Sequence, residues 1–403
     1  IAALSIGGQQ HGLVVLDDRD EPLRPAMLWN DVRSAPQARQ LTEQWGAERW
    51  ADRIGVVPVA SFTITKWAWL SENEPAIAEA ARRIMLPHDY MNFRLTGFAA
   101  TDRGDASGTG WWSSDTEQYS GEALDLVGLD RGLLPSIVPP GESAGAVNEE
   151  ASAATGVPVG APVAGGTGDN MGAALGLGLR PGHPVVSLGT SGTIYAVSES
   201  RIVDPTGVVA GFATADRGFL PLAATLNCTL AVDRFATWLG IDREQIADDT
   251  EVVVLPYLDG ERTPNLPEAA GSIHGLRHTT RPEEILLAAY QGAAASLLEA
   301  MSAIATAGSG IPVDSPLILI GGGARGKAWQ KVMADLSQRP LLVPDTDEPV
   351  ALGAAIQAAS MLTGMPCSDI AERWATLSGP TVEPGSGKAG AMERIRATRV
   401  AVI

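Results

Sequence analysis

Asp169 lies in the run Ala164-Gly165-Gly166-Thr167-Gly168-Asp169-Asn170, where an apolar strand stops at glycines and a helix of small residues begins. A carboxylate at the carboxyl end of a strand can take a proton from a substrate hydroxyl. The same residue at a helix start can equally be an N-cap worth ~1 kcal/mol. Asp169→Asn separates the two, since it keeps a cap and removes a base. A second run, Val186-Ser187-Leu188-Gly189-Thr190-Ser191-Gly192-Thr193, joins a β-branched strand to a turn rich in hydroxyls. Backbone N–H groups and hydroxyls gathered in such a turn suit phosphate oxygens, and such a turn is also how an ordinary hairpin closes. A third junction, Leu319-Ile320-Gly321-Gly322-Gly323-Ala324-Arg325-Gly326, lets a flat ring or sugar lie against bare backbone, or a helix pack tightly on a strand.

Other candidates are less specific. His11, in Gly8-Gln9-Gln10-His11-Gly12, can hydrogen-bond a polyol or serve as a satisfied turn residue, and Trp29-Asn30-Asp31 with Arg33 can join it. Trp111-Trp112 is a candidate cleft wall. With five scattered histidines and neither an HExxH nor a CxxC, no metal-ligand spacing is present.

The elements that must position these residues alternate strand and helix, which predicts an α/β protein. Ile1–Ile6, Gly12–Leu16 and Leu23–Trp29 read as neighbouring strands. Helices are expected over 36–45, 61–72, 75–82 and 87–95, with 101–116 irregular. Helix 168–177 follows strand 161–165, and strands 184–187 and 194–197 flank the polar turn. Helices 226–239 and 282–306, strand 317–320, helix 324–336, strand 341–343 and helices 350–362 and 390–399 complete the pattern. Gly353, Ala354 and Ala355 read as small residues for a close helix crossing. A composition shift near 178–184 marks the boundary between domains 1–178 and 179–403.

The chain has 403 residues and a net charge of −18, which repels phosphate backbones and anionic lipid and excludes nucleic-acid and membrane-surface roles. No apolar run reaches the ~18 residues of a membrane span. Two cysteines rule out a disulfide framework. The expectation is a soluble, reduced, cytoplasmic protein. Glycine, 45 of 403 residues, stands above the usual ~7% and clusters where strands stop.

Together these pieces resemble the FGGY family of carbohydrate kinases over essentially the whole chain. Ser61-Phe62-Thr63-Ile64-Thr65-Lys66-Trp67-Ala68-Trp69-Leu70-Ser71-Glu72-Asn73 fits its first signature. Gly271-Ser272-Ile273-His274-Gly275-Leu276, followed by Glu284-Ile285 and Ala288-Ala289-Tyr290-Gln291, fits the second. The stretch Gly260-Glu261-Arg262-Thr263-Pro264 is similar too, with no role attached to it.

The resemblance implies two ribonuclease-H-like, actin-like ATPase domains around a cleft, residues 1–178 binding sugar and 179–403 binding nucleotide. It implies ATP and Mg²⁺ as cofactors, a small sugar as partner, and it admits a homodimer. Asp169 matches the catalytic base. Gln10, His11, Trp29, Asn30 and Asn170 match sugar-side positions; Gly189, Thr190, Ser191 and Gly192 match a phosphate loop; Gly322, Gly323 and Lys327 match positions near the adenosine. The Gln-x-His-Gly form with Leu28-Trp29-Asn30-Asp31 and Arg33 points to phosphorylation of D-xylulose to D-xylulose 5-phosphate, with domain closure excluding water. Ribulose, gluconate or glycerol as the acceptor, or a non-catalytic sensor of sugar or nucleotide, are the alternatives. Many members of that branch carry Met where Gln10 stands. Family members also carry a further amino-terminal stretch with a phosphate-gripping, magnesium-ordering loop, and a longer connection at Arg243–Val252. Without that stretch the first domain lacks its amino-terminal strands, and the chain as written is not expected to turn over ATP.

Overall fold

The computed structural model describes residues 1–266, 268–312, 314–385 and 390–402. They form two compact units: Ile1–Leu179 with Val197–Pro221 and Glu348–Thr376, and Arg180–Ala196 with Leu222–Asp347 and Leu377–Ile403.

In the first unit the strand Gly7–Gly8 pairs in parallel with Thr167–Gly168. The expected strand Ile1–Ile6 does not form a ladder. Leu4 makes an isolated bridge to Val163, and pairing resumes only at Gly7. The cause is Gly166, whose φ of 78° breaks the partner strand in two, a conformation that disfavours any side chain. Leu23–Trp29 is likewise reduced to one isolated bridge at Met27, with another at Pro22 just before it. Pro22 and Pro25 lack the N–H donors that a ladder needs. Val14–Leu16 does pair, antiparallel to Arg83–Met85. The expected helices appear as Ala35–Trp45, Thr63–Asn73, Pro75–Ala80 and Pro87–Thr96. Arg103 ties residues 197–221 into this unit by donating from Nη1 to the carbonyls of Thr214 and Gly218, each at 3.0 Å.

Helix Asp169–Gly176 packs backbone to backbone against helix Pro349–Thr363, as the small residues of the latter suggested. A Cβ on Gly353 would stand 1.9 Å from the Gly172 carbonyl oxygen, and one on Gly176 would stand 1.9 Å from that of Pro349.

The second unit is built on a mixed sheet. Its strands run in the order 222–225, Gly192–Ala196, Pro184–Leu188, Leu317–Ile320, Leu341–Leu342 and Thr381–Val382. Pro184–Leu188, Leu317–Ile320 and Leu341–Leu342 are parallel to one another; their outer neighbours are antiparallel. Helix Pro282–Thr306 is long and apolar enough to cross a membrane, which a search for unbroken apolar runs misses because Gln291 and Glu299 interrupt it. Leu286, Leu287, Tyr290, Leu297 and Ile304 bury it within the unit instead.

Gly353→Ala is expected to cost about 3 kcal/mol or more, because the methyl group meets unyielding backbone and not a flexible side chain. A fall of several degrees in Tm checks this; an unchanged Tm refutes the close packing.

Candidate active site

Two strand ends bring the first group of polar residues together. Because Gly7–Gly8 and Thr167–Gly168 run in parallel, the residues just beyond each strand emerge side by side. Asn170 Nδ2 donates to Gln10 Oε1 at 2.8 Å and to Asp169 Oδ1 at 2.9 Å, and the Asn170 backbone N–H donates to Asp169 Oδ1 at 2.8 Å. The flanking glycines make this possible. A Cβ on Gly168 would lie 2.7 Å from Gln10 Cγ, and one on Gly8 would lie 2.8 Å from His88 Cβ.

Asp169 is not an N-cap. Gly168 occupies that position, with no side-chain cap hydrogen bond, and Asp169 is the first helical residue. Its Oδ1 takes the Asn170 donors, while Oδ2 carries no hydrogen bond among the described residues. Burial raises its pKa to about 6, against the two Asn170 N–H groups that favour the carboxylate.

His11 has a φ of 66° and sets Nδ1 2.8 Å from the Gly108 carbonyl oxygen. A carbonyl only accepts, so Nδ1 holds the proton and Nε2 is an acceptor in the neutral ring. Phe62 and Phe212 pack on the imidazole at centroid distances of 4.9 and 5.5 Å. Trp29 and Asn30 are exposed and make no hydrogen bond or ring contact among the described residues. Arg33 pairs with Asp31, another of these candidates, at 2.5 Å and lies over the Trp69 ring. Trp111 and Trp112 are not cleft walls; at 2% and 0% exposure they belong to the core.

Behind Asp169 lies a cluster that the sequence reading missed. His88 Nδ1 is 2.7 Å from Asp105 Oδ2, and its Nε2 is 3.1 Å from Asp89 Oδ1 and 3.8 Å from Asp102 Oδ1, all four residues being buried. Burial alone would lower the His88 pKa, but the surrounding carboxylates hold the imidazole protonated. Asp102 also accepts from the Gly104 and Asp105 N–H groups and from Thr167 Oγ1, at 2.8 to 2.9 Å. The available signal was three aspartates and a histidine gathered in two short runs, Pro87-His88-Asp89 and Thr101-Asp102-Arg103-Gly104-Asp105.

In the second unit the strands Pro184–Leu188 and Gly192–Ala196 form a hairpin whose last pair is Leu188 with Gly192. Thr190 is exposed and Ser191 half-buried, and neither hydroxyl is hydrogen-bonded among the described residues. The Gly189 carbonyl accepts from Thr229 Oγ1 at 2.7 Å and Thr229 N–H at 3.1 Å. The glycine turn lies alongside, with Gly323 N–H donating to the Leu188 carbonyl at 2.9 Å. Gly323 is glycine for packing, since a Cβ there would stand 2.8 Å from Thr229 Cγ2, whereas Gly322 faces open space. The helix begins at Lys327, later than expected, because Ala324 and Gly326 close turns onto Gly321 and Gly323. Lys327 Nζ donates to Gln330 Oε1 at 3.1 Å. Both turns thus sit at the carboxyl ends of neighbouring parallel strands, where open α/β sheets take ligands.

Residues 1–176 match the N-terminal domain, and residues 185–362 the C-terminal domain, of the FGGY family of carbohydrate kinases. A xylulose kinase of Streptomyces coelicolor is 58% identical over 400 residues, covering 98% of this chain and 80% of that protein. The xylulose kinase of Escherichia coli is 35% identical over 354 residues, covering 85% and 72%. The crystal structure of xylulose kinase from Bifidobacterium adolescentis superposes with a TM-score of 0.84 at 33% identity, covering 99% of this chain and 87% of that one. This chain therefore belongs to the FGGY family of carbohydrate kinases and has its two-domain, actin-like fold.

Asp169→Asn should stabilise the protein at neutral pH. The folded-state pKa lies above the ordinary carboxylate value, so the cost of the ionised side chain to folding builds up from about pH 4 and is fully present once pH passes about 6. Allowing for partial exposure, the gain is about 1 kcal/mol at pH 7.5, vanishing towards pH 4. Thermal melts of both proteins at those two pH values check it; an Asn variant less stable at pH 7.5 refutes it.

Proposed function

We propose that this protein transfers the γ-phosphoryl group of ATP to a hydroxyl of D-xylulose, giving D-xylulose 5-phosphate, with Asp169 as general base. The observation that carries the substrate is the 58% identity to a xylulose kinase across 98% of the chain. What supports the base is local: an aspartate with one oxygen held by Asn170 and the other carrying no hydrogen bond among the described residues, at a pKa of about 6.

Phosphoryl transfer proceeds through a loose transition state, so the protein's work is to place reactants and supply hydrogen-bond donors. Gln10, His11 and Asn170 orient the sugar, with Trp29 and Asn30 as further contacts; residues 1–178 form the sugar-binding domain. Asp169 Oδ2 accepts the hydroxyl proton as the new P–O bond forms, and ADP departs with the electron pair of the broken bond. Thr190, Ser191 and the backbone of Gly189 and Gly192 hold phosphate oxygens. Gly322, Gly323 and Lys327 lie at the nucleoside side of the nucleotide domain, residues 179–403.

Among the described residues, no group of three or more His, Cys, Asp or Glu could hold a metal ion. Mg²⁺ suits phosphate oxygens and water, so it would come with the nucleotide, and no step above runs through a protein-held ion. Two buried free cysteines, Cys228 and Cys367, accord with a reducing, cytoplasmic setting.

In a coupled assay of ADP release with the intact protein, D-xylulose should stimulate turnover. Asp169→Asn should lower kcat by ~10²–10⁴. Activity of the parent should fall as pH drops below about 6, where Asp169 takes up a proton. No xylulose-dependent release, with ribulose, gluconate or glycerol active, would reject the sugar and keep the kinase. Sugar binding without turnover by any of them would make the protein a sensor.

A further inference from the structure

Glu261 has no place in the mechanism above, yet it is one of the most completely engaged side chains in the second unit. It is 1% exposed, and the neighbouring Arg262 guanidinium is its opposite charge, acting through space with no ion pair between them among the described residues. Its oxygens are occupied by N–H groups. Oε1 accepts from Leu226 N at 2.6 Å and from Arg262 N at 2.8 Å. Oε2 accepts from Asn227 Nδ2 at 3.1 Å and from Asn227 N at 3.3 Å. Asn227 is fixed in turn, donating from Nδ2 to the Gly260 carbonyl at 2.8 Å and accepting at Oδ1 from Leu258 N at 3.0 Å. Next to it, Thr263 Oγ1 donates to the Ala224 carbonyl at 2.8 Å. The segment so gripped, residues 224–227, runs from the end of a strand into the start of helix Thr229–Leu239.

That segment backs the hairpin turn. Thr225 pairs with Gly192, and a Cβ on Gly192 would strike Thr225 Oγ1 at 2.9 Å. Thr229 grips the Gly189 carbonyl through both its hydroxyl and its N–H. Glu261 therefore reaches both ends of the 189–192 turn through one rigid segment. From this we propose that Glu261 is a positioning residue for nucleotide binding, which sets the turn Gly189–Gly192 by holding Leu226 and Asn227. The inference rests on the reading of that turn as the phosphate loop.

The carboxylate cannot be replaced by its amide. Every group hydrogen-bonded to the Glu261 carboxylate is an N–H donor, so the NH₂ group of glutamine must confront donors on one side whichever way it turns. Nor does the sugar side depend on it, because Gln10, His11 and Asp169 lie in the other unit.

Steady-state kinetics of the intact protein test this, with KM for ATP and for D-xylulose measured separately. E261Q should raise KM for ATP about tenfold and leave KM for the sugar within about twofold, as misplacement of one binding loop predicts. Thr229→Val, which removes one link to Gly189 while keeping the β-branched shape, should raise KM for ATP by a smaller factor. The double variant should fall short of the product of the two, because both act through one segment. Unchanged KM for ATP, equal rises in both KM values, or multiplicative effects would each overturn the proposal. If E261Q does not fold, Thr229→Val decides alone, and an unchanged KM for ATP in it overturns the proposal. Ser191→Ala separates this inference from its premise. If Ser191→Ala raises KM for ATP and E261Q does not, the positioning role fails and the phosphate loop stands. If neither does, the phosphate-loop reading itself fails.

Discussion

Backbone must come closer to its neighbours than any side chain permits, and the candidate site depends on that constraint. Gly168 meets Gln10, Gly8 meets His88, Gly192 meets Thr225, and Gly172 meets Gly353, each at a separation where a methyl group would collide. The glycines form no single motif. They are distributed so that each strand or helix carrying a candidate residue can be pressed against the element beside it. Interiors packed at crystal-like density transmit such displacements with little give. A single Cβ at one of these approaches therefore acts on the position of a side chain several residues away.

The second determinant is charge held away from water. Asp169 is kept where burial opposes ionisation, and its contacts with Asn170 offset that only in part. Behind it, three aspartates share one imidazole, so removing His88 would leave buried carboxylates without a counter-charge, at a cost of about 3–5 kcal/mol. Asp102 couples this cluster to Thr167, two residues before Asp169. The fold therefore carries an unfavourable charge at Asp169, the proposed base, and packs buried structure behind it.

How much of this the sequence discloses varies with the range of the interaction. Helix Pro282–Thr306 and strand Leu317–Ile320 match their expected limits, because local periodicity and proline or glycine boundaries define them. The Gly189–Gly192 turn and the small-residue face of helix Pro349–Thr363 were legible for the same reason. Long-range facts were not. Nothing local indicates that residues 197–221 and 348–376 fold back onto the first unit, or that Trp111 and Trp112 are buried. The meeting of Gln10 with Asn170 spans 160 positions, and only the family resemblance anticipated it. Gly166 shows the limit from the other side. Its identity is plain in the sequence, but that it breaks the pairing of Ile1–Ile6 follows only from its conformation.

The two units solve a similar problem with similar chemistry. In each, a short segment next to candidate residues is held from behind by a buried carboxylate that accepts N–H bonds: Asp102, the N-cap of the single-turn helix Arg103–Ala106, for residues 104 and 105, and Glu261 for residues 226, 227 and 262. Hydrogen bonds to an ionised acceptor are roughly twice as strong as neutral ones, and one carboxylate accepts several donors at once. That suits a tight turn, where consecutive N–H groups point inward and no carbonyl can reach them. A surface ion pair could not do the same work, since salt screens it and its long side chains are free to move. Loops fixed in this way should keep their geometry across ionic strengths, yet lose it when an isosteric amide puts a donor where only an acceptor fits.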